Sequence, residues 1–289
     1  MTSQRTGQPP KGKRSAFARL LRHHGVLVGG VVLIAVVLSA IVGPLFTSQD
    51  PSSQDTARRL EAPSFEHPFG TDNLGRDLLS RVLYGGRYSL SIGLGAVLVA
   101  FMLAMVAGII CTYLGGWLDI AMMRVVDALI AFPTLLLSLV FVALFGNGLI
   151  WVLIAVGIGV FPRMTRLIRS TVLEKKDLDF VDAAKALGAN NGWIILKHIL
   201  PNVLAPILVS LTFETGTAIM VEASLGFLGL GVQPPTPTWG SIISEGRRYI
   251  RVSPYAVIFS ALAISLTLLA LNLLGDGLRD YFDPRLRHE

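Results

Sequence analysis

Residues 172–202 read VLEKKDLDFVDAAKALGANNGWIILKHILPN. This is a polar island between stretches too apolar for water, and the count of those stretches decides the fold. On its N-terminal side Ala128 to Pro162 is 35 residues without a charge. As one helix that run is about 52 Å long, against about 30 Å of bilayer hydrocarbon. Gly146-Asn147-Gly148 interrupts it, so it reads as two helices joined by a tight turn. The second holds only the 14 uncharged residues 149–162, and Arg163, Arg166 and Arg169 extend it, their stems lying along apolar surface while the heads reach the headgroups. On the C-terminal side Val203 to Leu230 carries only Glu214 and Glu222, and Val252 to Gly275 follows. Upstream lie Ser89 to Leu118, 30 residues, and Gly25 to Phe46, 22 residues, both free of charge. The expectation is an all-α membrane protein with six transmembrane helices.

Composition agrees. The chain is 52% hydrophobic and 15% charged, where a soluble domain carries about 25% charged residues. One cysteine, Cys111, excludes an internal disulfide and any Cys-based metal site, and reads as a small buried apolar residue. The net charge of +6 points to loops facing anionic lipid, because no basic stretch is interleaved with aromatics as a nucleic-acid surface requires. Six crossings put both termini on one side. With that side cytoplasmic, the inner segments hold 17 of the 25 Lys and Arg, as the positive-inside rule demands. The chain then divides into a basic cytoplasmic tail (1–24), a first helix with an extracytoplasmic loop (25–88), a five-helix core (89–276) and a second cytoplasmic tail (277–289).

Within 172–202 the pattern is that of two short amphipathic helices. Asp179 is placed to cap the first. Phe180, Ala183, Ala184 and Leu187 then recur at i, i+3, i+4 and i+7 on one face. Gly188 suits the position after a helix end, and Asn190 or Asn191 can cap a second helix that stops before Pro201. Such a pair on the cytoplasmic face is a docking element for a groove in a partner.

Asp182-Ala183-Ala184, Gly188, His198 and Leu200-Pro201 resemble the "EAA" coupling loop of ABC-importer permeases, with Asp for the usual Glu and His where many families have Ile. His67 to Asp77 (HPFGTDNLGRD), Ser80-Arg81, Gly86 to Leu90 and Ala223 to Gly240 (ASLGFLGLGVQPPTPTWG) are similar to the dipeptide/oligopeptide/nickel permease family, in its C-type member. The resemblance covers nearly all of 15–283. It implies a type I permease fold in the cell membrane. It also implies a second homologous permease subunit, two cytoplasmic ATPase subunits that bind and hydrolyse ATP, and an extracytoplasmic solute-binding protein meeting 66–88 and 232–251. The cargo would be a peptide, or nickel or another small solute.

Glu214 and Glu222 are the candidate path residues, because ionised carboxylates facing lipid cost several kcal/mol. Eight residues leave them about 80° apart, so both can face one protein interior; the alternative is pairing with a neighbouring subunit. Asp119, Arg124 and Asp127 read as local pairs, and the scattered methionines as packing. Gly7 to Arg14 is a near miss to a phosphate-binding loop, lacking the final Ser or Thr and a preceding strand, so the chain is expected to have no nucleotide site of its own. No catalytic or metal-ligand constellation is legible, which leaves an enzyme reading without support. A self-sufficient secondary transporter would show paired inverted repeats, and none is visible.

Overall fold

The computed structural model describes residues 24–47 and 49–282, and every regular element among them is helical. Most of the basic tail, with its near-miss loop, and residues 283–289 lie outside the described residues. α1 is His24–Phe46, within one residue of the charge-free run. α2 spans Leu78–Leu114 through a π turn at Val106–Cys111, and α3 is Gly116–Ile130. α4 is Thr134–Phe145, α5 Leu149–Lys176 and α6 Asp179–Ala186. α7 spans Asn191–Phe227, α8 is Trp239–Gly246 and α9 Tyr255–Phe282.

Five helices are long and apolar enough to cross a membrane, and the pair α3–α4 brings the number to six when counted as one bent span. That bend corrects the third crossing expected from Ala128 onward. Ala131-Phe132-Pro133 separates α3 from α4, whose axes differ by 92°. Pro133 has no N–H to continue the ladder and disfavours helical backbone at Phe132. The 12 residues of α4 rise only about 18 Å.

α2 also starts earlier than the charge-free run, because Asp77 caps it by accepting the Ser80 N–H at 2.7 Å. Arg87, which bounds the charge-free run, lies inside this helix and is exposed, as does Arg81, which is buried and neutralised by partners described below.

α5 is the central helix, packed on α2, α4, α7 and α3. Val152, Val156, Val160, Met164, Ile168 and Val172 form its buried stripe at intervals of four. In lipid such contacts act through close packing, because apolar tails remove the hydrophobic drive between helices. α1 is peripheral, laid on α9 and α2. Asp119 and Asp127 of α3 do not pair locally. Arg169 grips Asp119 with two hydrogen bonds of 2.8 and 2.7 Å, and Arg166 meets Asp127 at 2.5 Å. Two of the three expected snorkelling arginines thus find carboxylates on the neighbouring helix, while Arg163 donates to the Thr134 hydroxyl.

Candidate functional site

The loop at 172–202 folds as a helix, a sharp reversal and a second helical start. Leu178, not Asp179, is the N-cap of α6, and no side chain caps it. Asp179 sits in the first turn, where a negative charge suits the exposed N–H groups. α6 ends in a Schellman arrangement. The Ala189 N–H donates to the Ala184 carbonyl at 3.1 Å and the Gly188 N–H to the Lys185 carbonyl at 2.9 Å. Gly188 has φ +81°, a conformation that a Cβ penalises. Asn190 then caps α7, accepting the Trp193 N–H at 2.8 Å.

The second helix does not stop before Pro201. It passes through a π turn at Ile195–Ile199 and continues as the body of α7. The wider turn accommodates a proline that cannot donate to the ladder and would crowd the carbonyl one turn back.

Phe180, Ala183, Ala184, Leu187, Trp193 and His198 line a groove of about 640 Å³ between these helices. The His198 ring sits 5.6 Å from Phe180 and 5.0 Å from Trp193, between centroids. Leu187 is 89% exposed at the rim. Ala184 is buried and belongs as much to the core, beside Val181, Ile194 and Ile199. The expected single apolar face is therefore split, with Ala183 and Leu187 outward and Ala184 inward. Asp182 points to solvent and accepts from Lys185 at 3.0 Å, which holds the Lys185 ammonium above its usual range. Leu200 is half-buried and Pro201 exposed, one turn beyond the groove.

The two intramembrane acids part company. Glu222 has 0% exposure and lies in the chain's own interior, with the hydroxyls of Ser89 and Thr238 beside it and no hydrogen bond to either carboxylate oxygen. Its carboxylate is enclosed by this chain's own helices. Glu214 is half-buried, and Arg163 is its charged neighbour. The 80° between the two acids leaves Glu222 across the helix from the open side of α7 and Glu214 at its edge.

The opposite end of the bundle carries a cluster that sequence reasoning missed. Asp72 accepts from Arg76 Nε at 2.6 Å and from Arg81 at 2.7 Å. Both guanidinium groups also reach Glu245 of α8, Arg81 at 3.1 Å. His67 meets Asp77 at 3.0 Å, and Phe69 stacks on Phe259 of α9 with centroids 3.8 Å apart. Trp239 donates its indole N–H to the Val82 carbonyl at 3.0 Å. A Cβ on Gly240 would lie 2.3 Å from the Ala223 carbonyl oxygen, so α8 can approach α7 only with glycine there. The signal was present in the alternating charges of His67 to Arg81, but their partner Glu245 is 164 or more residues away.

Residues 80–288 match the family model "binding-protein-dependent transport system inner membrane component", and residues 14–63 match "N-terminal TM domain of oligopeptide transport permease C". The chain is 42% identical to the dipeptide transport system permease protein DppC of Alkalihalophilus pseudofirmus, over 99% of this chain and 97% of that one. It is 45% identical to the glutathione transport system permease protein GsiD of Pectobacterium atrosepticum, over 75% and 72% of the respective chains. A chain of the MetNI methionine ABC transporter in an inward-facing conformation shares the fold, with a TM-score of 0.53 and 18% identity over 70% of this chain and 97% of that one. The helical bundle is thus the type I importer permease fold in a multi-pass membrane protein, a transport permease and not an enzyme. The chain belongs to the binding-protein-dependent transport system inner membrane component family, as a permease subunit of an ABC importer.

Proposed function

We propose that this permease imports peptides and that its 172–202 segment is the loop through which ATPase subunits drive it. The observation that carries the reading is the apolar groove on an otherwise polar loop, with Leu187 exposed at its rim and His198 held between Phe180 and Trp193. An isolated loop gains nothing from exposing a leucine, whereas a partner that covers it gains the burial. Relatives named for dipeptides and glutathione support a peptide-like cargo. A second permease subunit completes the path, two cytoplasmic ATPase subunits bind and hydrolyse the ATP, and an extracytoplasmic binding protein delivers the solute. Nucleotide binding closes the ATPase pair, and the docked loop carries the helices between inward-open and outward-open states.

Ala183→Asp tests the coupling. It places a charge in the groove without entering the core and leaves an unpaired, desolvated carboxylate if docking still occurs. The expected result is a membrane-inserted permease that loses its ATPase subunits on purification and with them peptide uptake. Retention of both at the parental level would overturn the assignment. The orientation has its own check. Cysteines replacing Ser53 and Thr236 react with an impermeant maleimide added to intact cells, and one replacing Asn190 does not.

A further inference from the structure

A second groove, of about 590 Å³, opens along α7 where α4, α5 and α9 meet it. Thr134, Arg163, Thr217, Ser224 and Asn272 are its polar lining. Glu214 lies one turn before Thr217, at the edge of the same face, with a buried carboxylate oxygen that has no hydrogen-bond partner. Arg163 donates to the Thr134 hydroxyl but has no carboxylate within ion-pair distance among the described residues, unlike Arg166 and Arg169. Arg163 stands near the middle of the 28-residue α5 and Glu214 in the second half of the 37-residue α7. A guanidinium and a carboxyl group, each the other's charged neighbour and neither in a close ion pair, are therefore held within the apolar part of the bundle beside an open groove. Charges at that depth are costly unless they face a protein or water-filled interior.

We propose that Arg163 and Glu214 recognise the two charged ends of a zwitterionic peptide as it passes along this groove. Arg163 receives the terminal carboxylate in the planar two-point geometry of its guanidinium. Glu214 receives the terminal ammonium. Asn272 and the hydroxyl of Thr217 offer donors and acceptors to the peptide unit between them. The inference rests on the peptide-importer reading and adds to it which groups of the cargo the membrane subunit reads.

The test uses the assembled complex in proteoliposomes, without the binding protein, so that the binding protein's own selectivity does not intrude. Cys111→Ala removes the native thiol, and Thr217→Cys reports on the groove through its rate of labelling by a water-soluble methanethiosulfonate. Alanyl-phenylalanine should slow labelling about tenfold, the worth of one charge-assisted contact, and its N-acetylated and C-amidated forms should not. Arg163→Gln should make the free peptide and the amide equivalent, Glu214→Gln should make the free peptide and the acetylated form equivalent, and Arg163→Lys should restore discrimination. Equal protection by all three peptides overturns the proposal, as does an unreactive Thr217→Cys, which means that protein or lipid fills the groove. ATP-dependent dipeptide uptake is measured in parallel with the binding protein present. Uptake with equal protection sinks only the groove assignment, and absence of uptake sinks the importer reading and this inference with it.

Discussion

The two ends of the bundle are built on opposite terms. At one end Asp72, Arg76, Arg81 and Glu245 form a largely buried ionic knot that ties the first loop to α8, closed further by Phe69 on Phe259. At the other end the 172–202 segment has only the surface ion pairs Glu174–Lys175 and Asp182–Lys185 among the described residues, and spends its large apolar side chains on the surface. The first end buries its charges against one another and one of its rings against α9. The other end leaves Leu187, Trp193 and Leu196 exposed, which is the surface that a partner would cover under the proposed coupling.

That contrast can be broken by mutation. The largest effect belongs to the knot. Asp72→Ala leaves two buried guanidinium groups with Glu245 alone and should cost about 3–5 kcal/mol, read as a lower unfolding midpoint in detergent. Gly188→Val comes next, because a β-branched residue at φ +81° costs about 1–3 kcal/mol although nothing lies within 4 Å of the new Cβ. Its signature is loss of ATPase subunits on purification with little change in the unfolding midpoint, since the strain is confined to the reversal between α6 and α7. Asp182→Asn is the smallest, within about 0.5 kcal/mol, because an exposed ion pair contributes little. If Asp72→Ala proved as mild as Asp182→Asn, the two ends would not differ in the way described.

What the sequence made legible were features that local chemistry decides. The limits of α1, the turn at Gly146 to Gly148, the positive φ of Gly188 and the Asn190 cap all follow from residues within a few positions of each other. The failures were of another kind. Hydropathy is blind to direction, so the bend at Pro133 passed as a straight crossing. Charge content cut α2 short at Arg87, because an exposed arginine is no bar to a helix that the Asp77 cap has already begun. Pro201 read as a stop because the π turn that relieves it leaves no mark in composition. The acids at 214 and 222 looked alike in sequence, yet only three-dimensional packing puts Glu222 inside the chain and Glu214 at the edge of a groove.

The uninterrupted path from Asn191 to Phe227 has a mechanical consequence. Its 37 residues make a rod about 55 Å long, with no loop in it to absorb a displacement. One end of the rod is the wall of the 172–202 groove, and the other end bears on α8 through the glycine contact at Gly240. Pivoting such a rod by about one degree moves its far tip by about 1 Å. Under the proposed coupling, work delivered at one membrane face would arrive at the other as leverage, without a relay of side-chain rearrangements in between.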